Sequence, residues 1–242
     1  MRSKRSSASG GREPPLDRPI WSALTGRQAH LAMCRGEAVR IQPDIGIFAA
    51  ARDPSATDDL ASLCQAYPGA GFLETEGTAL ATWVPEGASV AFRTPLVQMV
   101  ATTLTPDAAP RTVDWHPLGE ADAEDVYALA TLTKPGPFRP RTFAFGGFVG
   151  IREGGQLIAM AGTRLRVEGF SEVSAVCTHP DHRGRGLAKA LMRVVVGRIL
   201  DEGDACFLHA FAEAEATQAL YRSLGFQARR RILYTVLASP TN

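Results

Sequence analysis

The sequence predicts a mixed α/β (α+β) sheet, on three observations. Residues 113–242 read in the order helix, three strands, helix, strand, helix, strand, with apolar periodicity switching between 3.6 and two. The three consecutive strands are joined by Gly154-Gly155 and by a turn at Gly169, a meander rather than a series of helical crossovers. A glycine-punctuated loop, Arg183-Gly184-Arg185-Gly186-Leu187-Ala188, then leads from the third strand into an apolar-striped helix.

The elements follow in order. Residues 1–14 are rich in Ser, Arg and Gly, contain no apolar signal core, and read as a disordered tail. Pro19–Met33 places Ile20, Trp21, Leu24, Ala29 and Leu31 in a helix interrupted near Gly26. Ala38–Ile41 reads as a strand, and Asp58–Tyr67 as a helix carrying Leu60, Leu63 and Cys64, with Thr57 as its cap. Short β-like pieces follow around Phe72, Val90 and Leu96–Leu104, and Asp107-Ala108-Ala109-Pro110 reads as a linker. Beyond it, Glu120–Leu132 turns Val126, Leu129 and Ala130 to one side of a helix, and Thr133–Arg141 is a proline-stiffened loop. The meander strands are Phe148–Arg152, Leu157–Val167 and Ser171–Thr178. Leu187, Leu191, Val194, Val195 and Ile199 stripe the next helix, which Gly203 ends. Cys206–His209 is a buried strand, Thr217, Leu220, Tyr221 and Leu224 share a helix face, and Leu233–Leu237 is the last strand. The expected division is a tail over 1–14, an extension of unassigned role over 15–112, and a site-bearing domain over 113–242.

Composition narrows the function. The 242 residues are 45% apolar and 21% charged, ordinary for a globular chain, with a net charge of +1. Neither half carries a basic field, so nucleic-acid binding is not expected. Basic residues are nearly all Arg, with Lys only at positions 4, 134 and 189. Cys34, Cys64, Cys177 and Cys206 form no CxxC pair, which fits a reduced, cytoplasmic setting. No apolar run reaches the length of a membrane span.

The loop Arg183–Ala188 is the most informative stretch. A helix start leaves backbone N–H groups without partners, glycines let them approach a ligand, and the helix dipole adds positive potential. A pyrophosphate suits such a site, and Arg183 and Arg185 can add charge; a plain helix start with turning glycines is the alternative. A dinucleotide-binding Rossmann unit is not indicated, because no third glycine follows Gly186 three residues on. Cys177, His179 and His182 do not complete a four-ligand metal set, so no metal is expected.

Together, Arg183-Gly184-Arg185-Gly186-Leu187-Ala188 and the downstream Leu220-Tyr221-Arg222-Ser223-Leu224-Gly225-Phe226 resemble the hallmarks of the GNAT superfamily of N-acetyltransferases, over roughly residues 118–238. The string Glu172–Ala188, with Phe207-Leu208-His209, is similar to a bacterial subgroup with an N-terminal extension. The resemblance implies a GNAT-like acyl-CoA N-acyltransferase fold with an N-terminal α/β extension, acetyl-CoA as cosubstrate, and transfer to a primary amine by direct attack in a ternary complex. It implies that the loop holds the CoA pyrophosphate and that Val176, Cys177 and Thr178 adjoin the pantetheine arm. The N–H of Val176 or Cys177 would polarise the acetyl carbonyl. Tyr221 would protonate the leaving thiolate, although its spacing alone shows only a core aromatic. Glu172 would take the amine's proton; a solvated edge carboxylate is the alternative. His209 reads as a satisfied strand histidine sooner than a catalyst. Phe138, Arg139 and Arg141 precede the sheet where acceptor pockets form, and two arginines there would suit a small, carboxylate-bearing amine. Surface arginines on a stiff loop explain them equally well. Relatives often form homodimers. A CoA-binding module without catalysis, or a transferase of longer acyl groups, remain the alternative functions.

Overall fold

The computed structural model describes residues 14–108 and 111–239; residues 1–13 of the expected tail, and Ala109 and Pro110 of the expected linker, lie outside them. Among the described residues eleven strands and six α-helices are formed. The first half contributes α1 (Pro19–Leu24), β1 (Ala32–Arg35), β2 (Ala38–Ile41), β3 (Ala49–Ala51), α2 (Thr57–Ala66), β4 (Gly71–Thr75), α3 (Ala79–Thr82) and β5 (Val90–Ala101). The second contributes β6 (His116–Pro117), α4 (Ala123–Thr133), β7 (Val149–Glu153), β8 (Gln156–Val167), β9 (Phe170–Thr178), α5 (Leu187–Asp201), β10 (Ala205–Phe211), α6 (Glu215–Ser223) and β11 (Gln227–Leu237).

β4 to β11 include an eight-stranded sheet of order β4-β11-β5-β10-β9-β8-β7-β6, while β1, β2 and β3 form a separate three-stranded sheet. Within the large sheet β9 and β10 run parallel, and the remaining neighbours are antiparallel. Alternate side chains of β10 enter different cores. Cys206, Leu208 and Ala210 join the cluster with Leu191, Val195 and Ile199 of α5, while Phe207 joins Leu16, Ile20 and Leu24 beside α1. The period of two thus sorts helices to opposite faces of one layer.

The second-half order is as the sequence indicates from α4 onward, with the two-residue β6 added before it. The first half differs more, and three differences stand out. The helix expected over Pro19–Met33 ends at Leu24, and Ala32 and Met33 belong to β1. At α2 the side chain that accepts a backbone N–H is Asp53, bonded to Ser55 N–H at 2.8 Å, and Thr57 lies inside the helix. The β-like pieces near Val90 and Leu96 are one twelve-residue strand.

The division expected at residue 112 does not coincide with a break in the sheet. β5, from the first half, lies between β10 and β11 and pairs with both, from Leu96↔Phe211 to Ala101↔Cys206 on one side and from Val90↔Leu237 to Val100↔Gln227 on the other. β4 covers the far edge of β11. An α6–β11 unit returning to β10 would otherwise leave strand edges open, and the first half fills them. A buried Arg18–Glu74 ion pair at 3.2 Å ties the segment entering α1 to β4. No helix among the described residues is long and apolar enough to cross a membrane.

Candidate active site

β9 and β10 pair over only three positions, Ala205↔Phe170, Cys206↔Ser171 and Phe207↔Glu172, and then diverge. β9 is pulled aside by its other neighbour. Ser174 pairs with Gly162 and Cys177 with Met160, so Ala175 and Val176 stand opposite the single residue Ala161, and Ala175 adopts φ 53°. This is a β-bulge, which bends a strand and re-aims its backbone groups. A left-handed alanine is a strained state that packing must hold in place, and Ala175 is buried against Phe148, Met160 and α4.

The divergence opens a cleft of about 290 Å³ that reaches both faces of the sheet. Ala214, Thr217 and Tyr221 of α6 line it from one face; Phe48, Leu73, Leu96 and Tyr234 line it from the other. Val173–Val176 form one wall, His209–Phe211 the other, and Lys134–Pro137 of the proline-stiffened loop close a side.

At the end of β9 the chain turns through Pro180–His182 into the glycine loop. Gly184 and Gly186 hold φ 74° and 73°, conformations that favour glycine. A Cβ at Gly184 would meet nothing within 4 Å, and one at Gly186 only Arg111 Cδ at 3.9 Å, so the concavity in front of the loop is open. The loop's own backbone bonds stop at Arg183 N–H to Pro180 O and resume at Ala190 N–H to Gly186 O, the first of α5. The N–H groups between face that opening without intrahelical partners, which suits a phosphate. Arg185 is held by Glu153 at 2.8 Å and by His182 Nδ1 at 2.7 Å. Arg183, exposed, is left as the loop's guanidinium for an anion. Leu187 is buried and anchors the helix start, and Ala188 is half-buried.

The residues expected to act fall into two groups. Tyr221 and Val176 meet at the cleft. Burial pushes the Tyr221 phenol above its ordinary value, which keeps the hydroxyl protonated. Cys177 and Thr178 continue β9 toward the loop; burial raises the Cys177 thiol to about 11, so it is no thiolate nucleophile at neutral pH. Among the described residues no cluster of three metal-ligating side chains is present.

Glu172 is a correction. Its side chain is 1% exposed, and its oxygens are occupied: Arg164 donates from Nε at 2.8 Å and from Nη2 at 2.6 Å, Leu165 N–H donates at 3.3 Å, and His209 Nδ1 lies at 2.7 Å. Burial alone would raise its pKa, but the Arg164 charge and these hydrogen bonds outweigh it and hold the carboxyl at about 2. Such a carboxylate is too weak a base, and too fully bonded, to take an amine's proton. Nor do Phe138, Arg139 and Arg141 line the cleft. Phe138 sits edge-on to Phe148 with ring centroids 6.3 Å apart, Arg139 is exposed with its N–H on Thr142 Oγ1, and Arg141 pairs with Asp44 at 2.8 Å. The proline-rich loop docks Arg141 on Asp44 of the first half, an interaction that spacing within the loop cannot reveal.

Two cleft residues escaped the sequence reading as functional groups. His209 and Arg164 both contact Glu172 Oε1. Arg164 has no sequence signal beyond polarity inside an otherwise apolar strand, whereas His209 lies in the Phe207-Leu208-His209 piece of the resemblance and reads there as a structural histidine. They begin a polar row across five strands: Arg164 of β8, Glu172 of β9, His209 of β10, Gln98 of β5 and Arg229 of β11.

A family model described as FR47-like protein matches residues 148–235. The N-alpha-acetyltransferase RimI of Mycobacterium tuberculosis is 34% identical, over 55% of this chain and 90% of that protein. The crystal structure of a putative acetyltransferase from the GNAT family of Novosphingobium aromaticivorans is similar over 95% of this chain and 100% of that chain, at 40% identity and a TM-score of 0.83. A GCN5-related N-acetyltransferase from Kribbella flavida shares the fold at 21% identity and a TM-score of 0.65, over 92% of this chain and 95% of that one.

Proposed function

The chain belongs to the GNAT superfamily of N-acetyltransferases, and from that premise we propose that it moves an acetyl group from acetyl-CoA to a small primary amine by direct attack inside the β9–β10 cleft. The observation that carries this reading is the cleft itself. It runs through the sheet from Tyr221 on α6 to an apolar mouth, and β9, its wall, leads into the phosphate-type loop Arg183–Ala188. Two substrates can therefore approach one carbonyl from opposite faces.

Acetyl-CoA fits the residues present. The N–H groups of Gly184–Ala188 and Arg183 would hold its pyrophosphate, and the bulged backbone at Val176 would lie along the acyl end. The thioester supplies the acyl group and its leaving thiolate. Tyr221, kept protonated by burial, donates the proton that prevents the thiolate from recapturing acetyl. The amine's proton goes to His209 rather than to Glu172. Nδ1–H of the imidazole bonds Glu172, so protonation at Nε2 creates a cation beside a carboxylate already held ionised. Nε2 accepts from Gln98 Nε2 at 3.3 Å, so taking the amine's proton there requires that this long hydrogen bond be released. Glu172 thus fixes the tautomer and ring direction. All four cysteines are free thiols, which supports a reducing, cytoplasmic setting.

The test pairs thermal unfolding in acetyl-CoA with an amine screen that follows free CoA thiol. Saturation at about 100 times Kd adds roughly 2.7 kcal/mol to stability. Stabilisation with turnover, and loss of turnover in the His209→Gln protein by about 10²-fold with acetyl-CoA affinity kept, is the expected result. Stabilisation without turnover on any amine would leave a CoA-binding module. Unaltered turnover in His209→Gln would remove the base assignment.

A further inference from the structure

Arg164 spends only part of its guanidinium on Glu172. Nε and Nη2 bond the two carboxylate oxygens side-on, at 2.8 and 2.6 Å. Among the described residues nothing accepts a hydrogen bond from Nη1, and Nη1 is not sealed in the interior, since it is absent from the buried, unpartnered side-chain atoms, His116 Nε2 and Thr178 Oγ1. The side chain is 14% exposed, and the residue lines the cleft. The end-on edge of the fork, Nη1 with the second Nη2 hydrogen, is therefore the part of Arg164 left for a ligand in the cleft it lines.

The surroundings fix what that edge can hold. Charged residues lining the cleft are Arg164, Lys134 and Glu172, a surplus of one positive charge over the carboxylate. Arg164 is immobilised from several sides, by Glu172 and by the Phe48 ring 4.9 Å from its guanidinium carbon. A preorganised planar fork suits a carboxylate, which it can grip with two parallel N–H bonds. Arg164 Nη2 and His209 Nδ1 also share one oxygen, Glu172 Oε1, at 2.6 and 2.7 Å. The guanidinium and the imidazole ring are thus neighbours across one carboxylate oxygen, so a ligand gripped by the fork lies beside His209. Around them the mouth is apolar. Phe48, Leu73, Leu96 and Tyr234 line it, and Phe92 and Phe211 extend it outward, 43% and 52% exposed. Phe92 bridges Tyr234 and Phe211 by edge contacts at 5.7 and 6.4 Å.

We propose that the acceptor is a free α-amino acid with an apolar or aromatic side chain, its carboxylate held by the end-on edge of Arg164, its amino group directed at His209, and its side chain against Phe48, Leu96 and Tyr234. This rests on the transferase reading and narrows its substrate. It also moves the carboxylate site from Arg139 and Arg141, which face Asp44 and solvent, to an arginine inside the sheet.

Two readouts separate the proposal from that reading. The first is calorimetric binding of L-phenylalanine, L-leucine and their carboxamides to the wild-type protein saturated with CoA, which needs no chemistry. The free amino acids should bind at least about 10-fold tighter than the carboxamides, because an amide offers the fork no charge and one fewer acceptor oxygen. Equal affinity would overturn the proposal and point to a chain terminus or a simple amine. The second is turnover with acetyl-CoA in the wild-type and Arg164→Lys proteins. Lys keeps a charge for Glu172 but loses the second edge. KM for the free amino acid should rise at least 10-fold in the variant, while KM for the carboxamide stays within about 2-fold. Parallel losses for both acceptors would assign Arg164 a purely structural role and sink the proposal. Tight binding of the amino acids without acetyl transfer would leave the subsite standing and remove the proposed reaction.

Discussion

Glu172 shows how one residue can look reactive in a sequence and prove otherwise in a fold. An acidic side chain opening the strand that leads into a cofactor loop is a natural base. Its companions lie 8 residues back at Arg164 and 37 residues on at His209, and no spacing rule brings the three together. The fold does so because β8, β9 and β10 are neighbours and all three residues face the same side. With its pKa lowered from 4.5 to about 2, Glu172 stabilises the fold as an anion. That contribution is complete above about pH 4.5 and is lost as pH falls toward 2. Glu172→Gln strands the Arg164 charge and should cost roughly 3–5 kcal/mol at pH 7. The gap between wild type and variant, measured by urea unfolding, should close steadily from pH 4.5 downward; a gap independent of pH would refute the ion-pair account. Tyr221 belongs to the same scale. Its helical spacing is legible in the sequence, and its place at the cleft needs the fold. Tyr221→Phe should lower kcat by about 10²-fold with acetyl-CoA affinity unchanged, and an unchanged kcat would end its role as acid.

Among elements, those of the second half were legible because each carries its own punctuation. Gly154-Gly155, Gly169, Gly186 and Gly203 all adopt positive φ at or next to element ends, so glycine placement marks the borders physically. The first half has such glycines as well, Gly36 between β1 and β2 and Gly77 between β4 and α3, but the elements they bound are short. β3 is the bare tripeptide Ala49-Ala50-Ala51, and α3 is four residues long, both too short for any periodicity to register. β11 begins at Gln227, five residues before its apolar part at Ile232, and there Arg229 and Arg230 pair with Asp17 and Arg231 with Glu76. A run of arginines reads as surface in a sequence, and here it forms a strand whose charges are met by the first half. The loop before α5 supplies the element-scale prediction. Gly186 at φ 73° cannot become a β-branched residue without about 1–2 kcal/mol of backbone strain, and the new side chain would fill the opening before the helix N-terminus. Gly186→Val should therefore weaken acetyl-CoA binding by at least about 10-fold while apo stability falls only modestly. Intact affinity in a folded Gly186→Val protein would mean that phosphate is held elsewhere.

At the scale of the whole molecule, the question is whether residues 14–112 are an appendage or part of the catalytic fold. A sequence similarity confined to the second half, such as the match at residues 148–235, invites the first answer. The sheet gives the second. β5 fills the space between β10 and β11 along most of their lengths, β4 pairs with β11, and Phe48 lines the same cleft as Tyr221. Gln98 of β5 accepts from Arg229 at 2.8 Å and meets His209, so the polar row that orients the imidazole runs through the first half as well. The Novosphingobium structure, matched over 95% of this chain, carries the same extent of fold. Removing residues 14–112 would expose both edges of β11 and one edge of β10, and would uncover the face of Phe207, which is fully buried against Leu16, Ile20 and Leu24. Strand edges unpaired over such lengths associate with other chains. A protein of residues 113–242 should therefore show no cooperative unfolding transition and should aggregate, whereas adding residues 14–112 as a separate polypeptide should restore a soluble complex that acetyl-CoA stabilises. A truncated protein that folds cooperatively and acetylates the same amine with unchanged KM would show the first half to be dispensable, and would place the acceptor pocket wholly within the second.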